Sequence, residues 1–386
     1  MAGQSLRTRA DRFWLRITEG MQLNQLWQQF RADARSSYRL YSQGMEVRRA
    51  PGERRSRHVL QVGQQFFWAV IEKLTPARRV LLLVALILLF SNVGGAWQTG
   101  NGEVRGFWFG GSFWGGLLLL LLLLMEVGDR VVMKRDLQIA KEIQAWLLPA
   151  EPPEVPGLEI AFATRPANTV AGDYYDVFPQ PGSGEGDRKF LLAVADVAGK
   201  SVPAAMLMAT FQASLKTLSG TPGPLTELAA RINRYACTNS QNGRRFTTAF
   251  VAEYDPAQRQ LVYVNAGHNS PILLRRSGSV ERLDCGGMPL GILESAVYEA
   301  GTVTLEPGDW LAAFTDGVIE AEDNQQRQFG EDRFLFLLRW GINLTPTALL
   351  QAILTDINRF VGHAPQHDDI TCMLVKSREQ ETGNRQ

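Results

Sequence analysis

Asp173 in AGDYYD, Asp196 in FLLAVADVAGK, Asp316 in DWLAAFTDGVIE and Asp368 in HDDITCMLV each stand where an apolar strand is expected to end in a turn. A run such as Phe-Leu-Leu-Ala-Val-Ala followed by Asp delivers a carboxylate from the edge of a core. One such strand is ordinary. Four that converge bring about four negative charges within a few ångströms, an arrangement that only bound cations make tolerable. All-oxygen donors suit hard ions such as Mg2+ or Mn2+ and argue against zinc. The chemistry expected is metal-dependent hydrolysis.

The 386 residues leave room for two or three domains, and 45% hydrophobic with 20% charged residues describes a folded chain. A net charge of +1 conceals a split, because residues 1–79 carry 15 Lys and Arg against 6 Asp and Glu. A basic arm of this kind serves nucleic acid, an anionic membrane face or topology control, and the character of the adjoining segment decides between these. Cys237, Cys285 and Cys372 form no CxxC and are odd in number, which disfavours a disulfide framework and favours a reducing compartment for the C-terminal part.

Two apolar runs predict membrane spans over about 79–97 and 107–125, the second holding eight consecutive leucines from Leu117 to Leu124. Arg78 and Arg79 precede the first; Arg130, Lys134 and Arg135 follow the second. The positive-inside bias then puts both ends of the hairpin in the cytoplasm of a multi-pass inner-membrane protein and its short loop outside. On that reading the basic segment 1–77 is cytoplasmic and nucleic acid is not its partner. Within it Trp14, Ile17, Met21, Leu26, Trp27 and Phe30 recur at near-helical spacing, as in an interfacial helix or one face of a small bundle.

Residues 126–150 read as a linker helix leaving the membrane. Met125, Val132, Ile139 and Trp146 repeat every seven residues and Ile143 adds a second seam position, the pattern of a weak coiled coil suited to a homodimer contact. PAEPPEVPG ends that helix, and a new domain is expected over 158–376, with a polar tail over 377–386. There LEIAFATRP, KFLLAVADV, TTAFVAEYD, QLVYVNAG, SPILLRR, DWLAAFTDG and ITCMLVKS predict strands. PAAMLMATFQASLKTL, LTELAARINRYACTN, Arg333–Trp340 and Pro346–Phe360 predict helices. The class is α+β: a two-sheet antiparallel sandwich with helices outside.

IAKEIQAWLLP, AGDYYDVF, ADVAGKSVPAAMLMA, TTAFVAEYD, YVNAGHNSPILL, GMPLGI, LEPGDWLAAFTDGVIEA, FGEDRF and DDIT, in this order, resemble the motif set of SpoIIE/RsbU-type serine phosphatases. That is the bacterial branch of the metal-dependent type-2C (PPM) protein phosphatases. The resemblance covers about residues 137–376 and leaves 1–125 outside. It implies a two-sheet sandwich with two divalent cations, Mn2+ or Mg2+, between the sheets. The implied substrate is phosphoserine or phosphothreonine on a regulatory protein, often an anti-sigma-factor antagonist in partner switching.

The resemblance assigns metal-ligand roles to Asp173, Asp196, Asp316 and Asp368, with Asp196 bridging both ions and the Val197 carbonyl as a further donor. One carboxylate spans ions about 3.5–4 Å apart, so a bridge is physically reasonable. Gly317 after Asp316 permits close backbone approach. Asp176 is expected as a structural acceptor or as a supporting one near the ligands, and Asp369 as a supporting residue facing away from its neighbour Asp368 by strand alternation. His268 in NAGHNSP reads as a turn brace more than a catalyst, His367 as a neighbour of Asp368, and Lys200 as a solvated lysine within reach of phosphate. Ser201 stands where GKG is common in the family, and Ala171 where GGD is common; both exchange a flexible residue for one with a Cβ. Against a phosphatase stands a catalytically silent scaffold of the same fold, which would be marked by loss of an aspartate. A histidine kinase is disfavoured because no His lies between residues 59 and 267.

Overall fold

The computed structural model of the chain describes residues 68, 71–72, 74–91, 96–98, 104–107, 110–180, 188–240 and 243–378. The amphipathic pattern from Trp14 to Phe30 and nearly all of the polar tail lie outside the described residues. The chain divides into two compact units, Met1–Val131 and Val132–Gln386.

In the first unit, α1 (Pro76–Phe90) is followed by an antiparallel pair, β1 (Ala96–Gln98) and β2 (Val104–Phe107), and by the start of α2 (Gly111–Leu147). Pro76 sits at the helix start, where its missing N–H costs nothing. The helices approach backbone to backbone: a Cβ on Gly115 would stand 2.6 Å from the Ala85 carbonyl, and Ala85 is fully buried. Arg78 Nη1 reaches Asp129 Oδ2 at 2.7 Å and Glu126 Oε2 at 3.4 Å, tying the polar ends together.

Among the described residues no helix is long and apolar enough to cross a membrane, which departs from the spans expected over 79–97 and 107–125. Ser91 turns extended with ψ 106°, ending α1 at 15 residues, and the uncharged part of α2, Gly111–Met125, is also 15 residues. Each is about 22 Å long, short of a hydrocarbon core of about 30 Å. Hydropathy alone assigned part of β1 and Phe107 of β2 to the spans.

The second unit holds two sheets. One has the order β10 (Gly286–Gly287), β7 (Gln260–Ala266), β6 (Thr247–Asp255), β5 (Phe190–Val197), β4 (Tyr174–Pro179), with β11 (Gly301–Thr304) also on β7. The other runs β3 (Leu158–Arg165), β13 (Ile370–Ser377), β12 (Trp310–Phe314), β8 (Ile272–Leu274), β9 (Val280–Arg282). Every pairing is antiparallel except β10 on β7. Between the sheets Val177, Val194 and Phe250 meet Leu273, Leu311 and Met373. The outer face of the first sheet is covered by α3 (Ser201–Leu218) and α4 (Leu225–Thr238) through Leu191, Met208 and Ile232. The outer face of the second is covered by α6 (Glu331–Trp340) and α7 (Pro346–Val361) through Leu374, Phe334 and Ile353. Since both faces of the central strands are covered, β5 and β12 read as unbroken apolar runs. Helix α7 shows the complementary logic: Leu349, Leu350, Ile353, Ile357 and Val361 line one buried stripe, and Thr345 Oγ1 caps the Ala348 N–H at 3.3 Å.

Candidate active site

Strand pairing brings the aspartates to one end of the sandwich. Tyr174 pairs with Ala195, so Asp173, just before β4, flanks Asp196 near the end of β5. Phe314 pairs with Cys372, so Asp316, the first residue of the one-turn helix α5 (Asp316–Ile319), flanks the Asp368–Asp369 turn before β13. The expectation that all four end strands is thereby corrected: Asp173 and Asp368 precede strands. Antiparallel pairing sets the start of one strand beside the end of its neighbour, so the carboxylates still meet. Gly317 is needed here, because a Cβ on it would fall 2.0 Å from the Asp369 carbonyl.

A cleft of about 250 Å³ opens at this end, lined by Asp196, Val197, Lys200, Thr248, His268, Asp316 and Asp368 among others. Asp173 is buried beside it and accepts a hydrogen bond from the Thr315 hydroxyl at 2.9 Å, while Thr315 Oγ1 accepts from the Thr371 N–H at 3.1 Å. Burial, with the charge on Asp196 adding to it, lifts Asp173 well above the usual carboxylate range. Burial and then the charges of Asp316 and Asp368 push Asp196 up to about 7. Asp316 is raised by burial and by Asp368, and Glu320 by burial and by Asp316. These mutual shifts show carboxylates that feel one another across the cleft.

Asp368 and Asp369 divide their work. Asp369 accepts the Ala167 and Gly172 N–H groups, each at 2.7 Å, bracing the loop that leads to Asp173. Asp368 lines the cleft and pairs with Lys200 Nζ at 3.0 Å. Lys200 also donates to the His367 carbonyl at 2.5 Å, so it is engaged rather than merely solvated. Asp176 does not line the cleft and, of its two expected readings, takes that of a structural acceptor. It shares a strand face with Tyr174, whose hydroxyl donates to it at 2.9 Å, and pairs with Lys216 of α3 at 2.8 Å in the helical layer. His268 is buried with Nδ1 3.0 Å from Thr248 Oγ1, its backbone N–H donating to Asn265 Oδ1, and burial pulls its pKa down to about 4. A neutral, braced imidazole at pH 7 is the outcome.

Sequence reasoning missed two contributors, although one of them, Gln144, lies inside the IAKEIQAWLLP motif. Thr315 is hidden inside an ordinary-looking TDG turn, and only its pairing with β13 reveals that it holds Asp173. Gln144, in the linker helix, bonds the backbone of Ala171 from 27 residues away. The residues departing from the family pattern differ in effect: Ser201 adopts φ 65°, the left-handed region, whereas Ala171 does not.

Among the described residues no three acidic, imidazole or thiol side chains stand close enough to grip one ion as they are. The donor chemistry nevertheless fits a hard dication. Three carboxylates face the cleft against one ammonium, Asp173 lies behind them, and every candidate donor is oxygen.

The sequence pattern of the family described as Stage II sporulation protein E (SpoIIE) matches residues 186–378. The chain belongs to the SpoIIE family. It is 27% identical over 270 residues to Protein IcfG of Synechocystis sp., covering 63% of this chain and 42% of that one. It is 30% identical over 189 residues to Phosphoserine phosphatase RsbU of Bacillus subtilis, covering 49% of this chain and 54% of that one. The chain thus spans about half the length of the curated relatives it matches. Among solved structures, the SiaA-PP2C domain of Pseudomonas aeruginosa superposes with a TM-score of 0.56 at 22% identity, over 65% of this chain and 99% of that one. The sandwich is therefore the PP2C phosphatase fold, and the SpoIIE-family match includes Asp196, Asp316 and Asp368 while Asp173 lies just before it.

Proposed function

We propose that this SpoIIE-family chain is a metal-dependent protein serine/threonine phosphatase whose site is built on Asp173, Asp196, Val197, Asp316 and Asp368. The observation that carries the reading is the convergence of these carboxylates on one cleft, with Asp196 lifted to about 7 by burial and by Asp316 and Asp368. Two divalent cations, Mn2+ or Mg2+, would neutralise phosphoryl charge and activate water at neutral pH. Asp196 would be among the carboxylates that hold them, and Thr315 orients Asp173 through the 2.9 Å hydrogen bond. Asp369 holds the 167–172 backbone, and Lys200 keeps Asp368 at the rim. Neutral His268 takes no proton in this scheme; it braces Thr248.

The relatives RsbU and RsbP, both phosphoserine phosphatases of Bacillus subtilis, support phosphoserine or phosphothreonine on a regulatory protein as substrate, of the anti-sigma-factor antagonist type. A membrane anchor with both termini in the cytoplasm is supported by the exposed apolar surface of α1 and α2. Val80, Ile87, Phe90, Leu117, Leu123 and Leu124 all face outward there, and an apolar surface of that extent calls for cover. A homodimer through the exposed seam of α2 completes the proposal. The silent-scaffold reading draws on one observation, that among the described residues no three ligand side chains are close enough to grip an ion. Phosphate release from a serine-phosphorylated protein separates the two. The phosphatase reading expects release with Mn2+, abolition by EDTA and recovery on adding Mn2+ back; turnover indifferent to EDTA, or none, sinks it.

A further inference from the structure

Beside the catalytic cleft lies a second one, of about 200 Å³, that the proposed chemistry does not use. Lys200 and Asp368 line both, so the two clefts share a rim. Arg165, the last residue of β3, lines only the second, as do Glu320, Glu322 and Gln366. Neutral groups hold Arg165 in place. Its Nε donates to Gln366 Oε1 at 2.7 Å, and its Nη1 donates to Asn358 Oδ1 of α7. Gln366 Nε2 donates in turn to the Arg165 carbonyl at 2.8 Å and to the Asp368 carbonyl at 2.7 Å. Those two bonds fix the amide with its oxygen toward the guanidinium. Among the described residues Arg165 makes no ion pair, and burial pulls its pKa down with no carboxylate lifting it. A half-buried, uncompensated guanidinium that amides already orient is a receptor for an anion.

We infer that Arg165 is a specificity-determining residue: it receives an acidic side chain of the protein substrate, near in sequence to the phosphoserine that occupies the neighbouring cleft. The inference rests on the proposed phosphatase reading and names which phosphoproteins that site prefers. The reacting phosphate is not the anion for Arg165, which stays outside the cleft lined by Asp196 and Asp316. Glu320 and Glu322 share the second cleft, form no ion pair among the described residues, and leave the pKa of Arg165 untouched, so they stand apart from it. Their charges repel an acid placed elsewhere in the cleft, which confines the favoured acid to one place relative to the phosphoserine. A charge-assisted hydrogen bond in such a half-buried setting corresponds to about tenfold in affinity.

The test measures Kd by fluorescence anisotropy with Mn2+, for the full chain and for Arg165→Gln. The probes are labelled peptides built on phosphonomethylalanine, a phosphoserine mimic whose C–P bond resists hydrolysis. Each carries one Asp at a successive position on either side of the mimic, or alanine throughout. In the parent chain one Asp position is expected to tighten binding about tenfold over the alanine peptide. In Arg165→Gln that gain is expected to shrink to within about twofold. A merely structural role for Arg165 would weaken all peptides alike and leave the ratio unchanged. Should Arg165→Gln fail to fold, Arg165→Lys, which keeps the charge but not the fork that spans Gln366 and Asn358, reads the same ratio and is expected to lower it about threefold. No favoured Asp position in the parent chain, the same preference in the variant, or no binding of any peptide overturns the inference. The expected pattern of Kd with no phosphate released from the matching phosphoserine peptide overturns the proposed function alone.

Discussion

Asp196 gathers the conflict of the site in one side chain. Its ordinary pKa is about 3.9, and in the fold it rises to about 7, so the folded state holds the proton more tightly than the unfolded one. Without metal, this group therefore costs stability progressively as pH rises from about 4 to about 7, by about 1–4 kcal/mol in all. Asp196→Asn removes the cost. In EDTA at pH 7.5 the variant is expected to melt above the parent chain, and a lower Tm contradicts the electrostatic account. Ser201 makes a separate point. The family resemblance marks it as a Cβ where flexibility is usual, and its φ of 65° gives that mark physical content. Ser201→Gly is expected to stabilise by about 1 kcal/mol in denaturant titrations, since left-handed backbone is disfavoured for residues with a Cβ. No gain would mean that the serine carries no strain. Asp176 is a residue that sequence leaves between two roles: proximity along the chain allows a place near the site or a structural one, and strand alternation sends it to the helical layer.

At the scale of elements, legibility tracks burial. Strands β5, β12 and β13 are readable because they are apolar on both faces, and α7 because its stripe is regular and capped. Short strands β9, β10 and β11 carry too few residues to show a period, and β4 opens on a motif that reads as a turn. What a linear sequence does not display is which strand end lies beside which start, and that pairing is what joins Asp173 to Asp196. Close packing at the junction of α5 and β13 gives a direct check. Gly317→Ala puts a Cβ 2.0 Å from the Asp369 carbonyl, so β13 or α5 must shift. We expect a loss of about 2–3 kcal/mol and a fall in activity; a neutral substitution would show that this approach is not what holds Asp316 against the Asp368–Asp369 turn.

For the molecule as a whole, two expectations stand beyond the sandwich. The first apolar run folds into 11 uncharged helical residues after Arg79 and the second into 15, Gly111–Met125, and the outward apolar faces of α1 and α2 motivate the anchor proposed above. Along α2, Val132, Ile139, Ile143 and Trp146 are exposed, the seam legible as a heptad. Ile139→Glu combined with Ile143→Glu is expected to convert a dimer to a monomer in sedimentation velocity; an unchanged species removes that seam from the account. The claim on which all else depends is that separated aspartates jointly hold cations that hydrolyse a phosphoserine. Its most direct measurement is kcat/KM for Mn2+-dependent phosphate release from a serine-phosphorylated protein, parent chain against Asp196→Asn. Several kcal/mol of charge stabilisation correspond to a loss of at least about a thousandfold, and equal rates in the two proteins would contradict the account.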